Sequence, residues 1–285
     1  MKKTFKLLLA VLVFLVGTGG LFLWHLSIVE KQTKIVFLNI GQGDAILISQ
    51  GEKQVLIDGG RSGKELLGRL GRQIPFWDRD IESVIATHPD ADHIGGLPAL
   101  LRSYRVHEIL TTGAESETET SRLFQEAVVQ EIGREPTRIF RGASIAFPHG
   151  GTLLVEYPLQ PEEGVASPDQ DTNEKSIVAR FTYGETSFLL TGDLPREETF
   201  LAEGDPVTVL KVAHHGSKYS TSALFLEQIR PKEAVISVGK NSYGHPDAGV
   251  LERLRSIGAR IHRTDEEGDV RYDCLLHLKK CVYVR

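Results

Sequence analysis

Cysteine is scarce: two occur in 285 residues, Cys274 and Cys281. No CxxC pair exists, which excludes the usual thiolate-rich structural zinc site. Two readings stand for the pair. Outside the membrane the thiols can close a disulfide across a small C-terminal hairpin, or they can sit unpaired on neighbouring strands. A basic excess is also missing: 33 Lys and Arg against 38 Asp and Glu give a net charge of −5. That balance excludes a tight, sequence-independent grip on nucleic acid through phosphate neutralisation alone. Internal repeats at solenoid periods and long linkers are absent as well, which leaves one large domain or two modest ones.

Long apolar runs are limited to one. Lys2, Lys3 and Lys6 precede "LLLAVLVFLVGTGGLFLWHLSIV", residues 7–29, in which His25 is the sole ionisable side chain. The run is near the ~20 residues that cross a bilayer as a helix, and longer than the ~7–15 of a signal-peptide core. No A-x-A-like cleavage site comes after it. Lysines ahead of the run and Trp24 near its far end suit an N-in anchor, with a cleaved signal as the alternative. Either one exports the rest of the chain. Residues 1–30 are thus expected to be a membrane anchor or signal segment, and residues 31–285 a single extracytoplasmic domain.

What is there is an α/β pattern. "KIVFLNIGQGDAILIS" and "KQVLIDGG" read as strands joined by Gly-rich turns, "SGKELLGRLGRQI" as a helix, and "ESVIAT" as a buried strand. The helix "GGLPALLRSYR", the strand "HEILTT" and the helix "ETSRLFQEAVVQEIG" come next. Residues 136–158 hold three β-like runs, and "PLQPEEGVASPDQDTNE" is a polar loop. Beyond it come strands in "SIVARFTYGETSFLLTGD", the strand "VTVLKVAHHG", the helix "STSALFLEQIR", the strand "EAVISVG", the helix "PDAGVLERLRSI" and strands to the end. Mixed meanders and α/β alternation imply sheets packed on each other with helices outside.

Four segments at predicted strand ends are crowded with metal-binding side chains: His88-Pro-Asp90-Ala-Asp92-His93, Asp193 in "LLTGDL", His214 and His215 in "VAHHGS", and His245 in "NSYGHP". Five of the ten histidines lie in these loops. His25, His107, His149, His262 and His277 do not, and read as surface or hydrogen-bonded residues. Taken singly, "HPDADH" can be a surface turn, "TGD" a turn and "GHP" a helix start. Together, several carboxylates meeting in one cleft would repel unless cations neutralise them. Mixed imidazole and carboxylate ligands with one bridging carboxylate suit two divalent ions ~3.5–4 Å apart, zinc or manganese by ligand type.

These residues resemble the metallo-β-lactamase superfamily and its H-x-H-x-D-H signature. The string "GQGDA…IDGG…THPDADHIGG…LLTGD…HHGS…YGHP" is similar to one branch, the soluble hydrolase domain of ComEC-type competence channels and its stand-alone relatives, over roughly residues 33–270. The resemblance implies the αββα four-layer sandwich, here with an N-terminal transmembrane helix. It implies His88 and Asp90 on one metal, Asp92 and His93 on the other, Asp193 bridging, and His245 completing the second site. His214 and His215 are catalytic candidates together with Asp92: one imidazole adds a ligand to the first site, and the other stabilises phosphoryl charge or protonates a leaving oxygen. The superfamily usually carries a His before the bridging Asp. The matching "DTNEKS" offers instead Asn173 as a contact to substrate or water, and Lys211 and Ser217 are further candidates for phosphate. Gly41, Gly43, Asp58, Gly59 and Gly60 read as structural. Asn39 and Asp247 stand where relatives often carry Asp and His.

The activity implied is metal-dependent hydrolysis of a phosphoester, with DNA as the candidate substrate and a separate channel or uptake protein as the candidate partner. Two alternatives are hydrolysis of a β-lactam, lactone or thioester, and a non-catalytic metal-binding module. Asp90 in place of a His, and the missing middle His, argue against the first, because β-lactamases of this fold use a three-His zinc site. The ligand set itself argues against the second.

Overall fold

A computed structural model describes residues 12–20, 32–114, 116–160, 171–201 and 205–285. Residues 12–20 are helical, and among the described residues no helix is long and apolar enough to cross a membrane. The remainder of the expected anchor lies outside the described residues.

Two sheets organise the domain. One runs Lys280–Val284, Val270–Leu275, Thr33–Phe37, Ile46–Gln50, Lys53–Ile57, Ser83–Ala86, Ile109–Thr111 and Thr137–Arg138 in spatial order. The other runs Arg260–Arg263, Glu233–Ile236, Val209–Lys211, Thr186–Leu190, Val178–Tyr183, Thr152–Tyr157 and Ser144–Ala146. Side chains alternate across a strand, and both faces here are buried. Ile35, Phe37, Ile46 and Ile48 meet Phe181, Phe188 and Tyr272 between the sheets. Their neighbours Val36, Leu47 and Leu56 point the other way, onto Leu66, Leu70, Leu97 and Leu100 of the outer helices. On the second sheet Leu189, Leu210 and Ile236 pack against Phe225, Leu226, Val250 and Leu254. Three cores between four layers are the expected αββα sandwich.

Helices match the sequence signals closely. Gly63–Gln73, Glu119–Ile132, Ala223–Ile229 and Ala248–Ser256 start at Ser62, Thr118, Ser222 and Asp247, each of whose side chains accepts a hydrogen bond from the first turn. Asp247 is thus a helix cap. Two short helices, Glu197–Phe200 and Thr264–Glu267, fall where loop or strand is expected. The three runs of 136–158 are strands, but they are shared between sheets, Thr137–Arg138 edging the first and the other two closing the second. Cys274 and Cys281 face each other across the final hairpin and are disulfide-bonded.

Five parallel strands matter most for the site. Lys53–Ile57 and Ser83–Ala86 run parallel in the first sheet, and Thr186–Leu190, Val209–Lys211 and Glu233–Ile236 in the second. The loops after their C-terminal ends gather at one end of the sandwich.

Candidate metal centre

The strand Ser83–Ala86 delivers Thr87 and His88, and the short helix Ala91–Ile94 just beyond turns His93 inward and buries it. Two glycines permit this. A Cβ on Gly43, at φ +127°, would lie 2.1 Å from the Asp92 carbonyl oxygen, and one on Gly96 would lie 2.1 Å from the Gly59 carbonyl oxygen. The motif is therefore clamped between the "GQGDA" turn and the "DGG" turn, with Gly59 N–H donating to His93 O at 2.6 Å and Asp44 N–H to Asp92 O at 3.1 Å.

Three imidazoles are oriented alike by hydrogen bonds to their Nδ1 atoms. Thr87 Oγ1 donates to Asp58 Oδ2 at 2.7 Å, so it accepts from His88 Nδ1–H at 2.9 Å. His93 Nδ1–H donates to the same Asp58 Oδ2 at 2.8 Å. His215 Nδ1–H donates to the Ser237 carbonyl at 2.8 Å. Each ring is thereby turned with Nε2 facing the centre, the orientation in which a neutral imidazole binds a metal. Those Nε2 atoms of His88, His93 and His215 are buried without hydrogen-bond partners, as are Asp193 Oδ1 and Asp44 Oδ1. Such orphaned groups cost free energy unless something satisfies them.

The donors converge. His88, His93 and Asp193 place one ligand atom each within 4.8 Å of one another, and so do Asp92, His93 and His215, and Asp44, Asp193 and His215. The His88 and His93 rings lie 4.0 Å apart between centroids, His93 and His215 5.4 Å. Asp193 belongs both to the group with His88 and to the group with His215, so its carboxylate lies between them. Nitrogen and oxygen donors of this kind fit borderline divalent ions such as zinc or manganese. The residues present fit the group that the motifs imply.

Electrostatics agree. Asp44, Asp58, Asp92 and Asp193 crowd a volume in which Lys211 is the fully buried cation, with Arg61 at the rim 3.7 Å from Asp92. Burial opposes charge on His215, yet Asp193, Asp92 and Asp44 outweigh it and lift its pKa to about 9. Burial likewise opposes charge on His93, and Asp193 and Asp58 overcome it. Burial, with His93 alongside, holds His88 well below the ordinary value and so neutral. Burial also disfavours the Asp193 carboxylate, but His215 and His93 pull its pKa well below the usual range. The pocket demands positive charge.

Several sequence expectations change. Lys211 does not reach a substrate: it is fully enclosed, ion-paired with Asp44, and donates to the Gly192 carbonyl at 2.7 Å. Ser217 is likewise buried, its Oγ accepting from Tyr219 N–H in a turn. The imidazole brought to the second group is His215, not His245, and both His214 and His215 adopt left-handed backbone, at φ 49° and 53°. Such conformations cost of order 1–3 kcal/mol each and persist where surrounding structure enforces them. His245 stands outside the ligand groups, its ring 5.4 Å from that of His214. His214 sits at the rim, Nε2 3.9 Å from Asp193 Oδ2. Asp90 is also at the rim, Oδ2 3.9 Å from His88 Nε2, its other oxygen accepting from Thr172 Oγ1 at 2.8 Å. Asn173, next to that threonine, keeps a buried Oδ1 without a partner.

Three positions at the centre do not stand out in the sequence. Asp44 and Asp58 lie inside "GQGDA" and "IDGG", which read as turns because their glycines dominate those strings. Ser176 ends "DTNEKS" and takes the place near His88 Nδ1 at 3.3 Å while binding Asp193 N–H at 3.2 Å. An acidic residue ending an apolar strand is the available signal for Asp58.

Residues 38–240 match the family described as the metallo-beta-lactamase superfamily. The chain is 32% identical to ComE operon protein 3 of Bacillus subtilis (strain 168) over 90% of its own length and 36% of the relative's. It is 33% identical to Recombination protein 2 of Haemophilus influenzae over 82% and 28%. It thus spans about a third of the length of the curated relatives it matches. Among solved structures, the metallo-beta-lactamase fold protein YhfI from Bacillus subtilis aligns with a TM-score of 0.58 at 14% identity, covering 84% of this chain and 99% of that one.

Proposed function

The chain belongs to the metallo-β-lactamase superfamily, and from that premise we propose that it is a metal-dependent phosphodiesterase of the nuclease type, held outside the cell membrane by residues 7–29. The observation that carries this reading is the convergence of the buried Nε2 atoms of His88, His93 and His215 with Asp92 and Asp193, in ligand groups linked through His93 and through Asp193. The relative named for recombination supports DNA as the substrate. The exported position supports a separate channel or uptake protein as partner.

Two divalent ions in such a site polarise a phosphoryl oxygen and bring bound water towards neutral pKa. The protein's own groups do the rest. His88, His93 and His215 would hold such ions through Nε2, with Thr87, Asp58 and Ser237 O holding the rings in place. Asp90, half-buried and with its pKa raised by burial, is positioned by Thr172 at the mouth. His214, 30% exposed at the rim, can give a proton to a departing oxygen. A groove of about 640 Å³ begins at His88 and Pro89 and runs past Phe124 and Gln125 to Arg138. It is large enough for more than the scissile group of a polymer.

The test is metal-dependent hydrolysis by the purified chain on single-stranded DNA, double-stranded DNA, a cyclic dinucleotide and a chromogenic β-lactam. Turnover of a phosphodiester after metal loading is expected. Turnover of the lactam alone would overturn the nuclease reading, and bound metal without hydrolysis of any substrate would favour a binding module.

A further inference from the structure

Large apolar side chains stand exposed at the end of the sandwich opposite the metal centre. Phe76 and Trp77, 80% and 74% exposed, stack edge to face at 4.9 Å in the loop after the helix Gly63–Gln73. Leu276 and Leu278, 53% and 45% exposed, cap the final hairpin. Strand register puts both at one end. Thr33 pairs with Gln50 and with Cys274, and Gln50 pairs with Lys53. Asp78, next to Trp77, accepts from Gln54 Nε2 at 2.7 Å, beside the Gln50–Lys53 turn. The catalytic loops leave the other ends of these strands, on the order of 20 Å away at ~3.3 Å per residue.

Thr33 is also where the apolar run joins the domain. Only Glu30, Lys31 and Gln32 separate it from residue 29, and the four steps from residue 29 to Thr33 span at most about 14 Å even when fully extended. If residues 7–29 lie in a bilayer, this end of the domain cannot stand off from it. Tryptophan favours the headgroup layer, and phenylalanine and leucine bury at the headgroup–acyl boundary. Lys53, Lys279 and Lys280 share this end with Glu52, Glu82 and Glu185, and Arg79 and Arg105 with Asp78 and Asp80, so the apolar groups and not net charge supply the attraction.

We propose that Phe76, Trp77, Leu276 and Leu278 seat in the interfacial layer of a lipid bilayer and hold the metal centre pointing outward. The proposal rests on the membrane reading of residues 7–29. The occupant is lipid. A second copy of the chain is the competing cover.

Trp24 and Trp77 are the two tryptophans, so the full chain carrying Trp24→Phe reports on Trp77 alone. It is reconstituted with phosphatidylcholine vesicles containing lipids brominated near the headgroup. Expected are flotation with the vesicles, a blue-shifted Trp77 emission and loss of most of it to bromine. In a Trp24→Phe, Trp77→Phe, Tyr243→Trp chain, whose probe stands exposed near His245 at the catalytic end, emission should escape quenching. Flotation with unquenched Trp77 overturns the proposal while leaving the anchor intact. Protection of Trp77 from acrylamide without bromine quenching points to a second copy and also overturns it. Failure to float removes the membrane reading itself, and this proposal with it.

Discussion

His93 Nδ1 lies 2.8 Å from Asp58 Oδ2, and both side chains are fully buried. Asp58 Oδ1 also accepts from Thr87 N–H at 2.8 Å, while Oδ2 takes Thr87 Oγ1 as well. One carboxylate thus orients His93 directly and His88 through Thr87. Asp58→Asn removes acceptor capacity without changing size. Outer partners of this kind are worth about 10–100-fold in metal affinity. A loss of about that size is expected in chelator competition, with the far-UV spectrum preserved; wild-type affinity would remove Asp58 from this role.

Asp193 and His93 are each shared between ligand groups. Asp193→Asn and His93→Ala should therefore bring hydrolysis to background while the fold persists, since neither side chain builds a hydrophobic core. Initial rates and thermal melts on the same preparations check this. Wild-type turnover in either variant would refute the bridging assignment.

His215 and His245 separate the structural reading from the sequence expectation. His215→Ala should lower bound metal, measured by elemental analysis after dialysis. His245→Ala should retain it, because that ring lies outside the groups. The reverse result would restore His245 as the ligand.

Lys211 and Asp44 form a fully enclosed ion pair. Removing one member of such a pair typically costs about 3–5 kcal/mol, because the other is left charged and unpaired. Lys211→Met should show that loss in denaturant unfolding, and Asp44→Asn on top of it should recover part. Additive effects would show that the pair is not coupled.

Glu197 is buried, and burial pushes its carboxyl from the ordinary 4.5 up to about 7, against hydrogen bonds that include Thr221 N–H. The folded state therefore holds this proton more tightly than the unfolded chain does. Its contribution is complete below pH 4.5 and is lost as pH rises through about 7, amounting to roughly 3 kcal/mol at 1.36 kcal/mol per unit. Glu197→Gln should flatten the stability profile across that window. An unchanged slope in urea unfolding from pH 4.5 to 8 would discard the assignment.

Much of this is readable along the chain because it is local. Buried strands show as apolar runs, helix starts as Ser, Thr or Asp before a periodic stretch, and the metal loops as His and Asp ending those runs. "THPDADHIGG" carries its own crowding, and its glycines fit the close approach of Gly96 to Gly59. Asp44 and Asp58 are legible as letters but not as roles, since a carboxylate flanked by glycines looks like any turn until a histidine from another segment reaches it.

Three-dimensional packing decided what local pattern could not. His215 joins the ligand groups and His245 does not, and the two successive left-handed residues at His214 and His215 are a conformation that no single-residue preference announces. Lys211 becomes an internal counter-charge because its strand is covered on both faces and Asp44 arrives from the opposite sheet. Residue type and order settle which groups are available for chemistry. Pairing across two sheets settles which of them meet, because contacts between segments distant in the chain depend on register and burial.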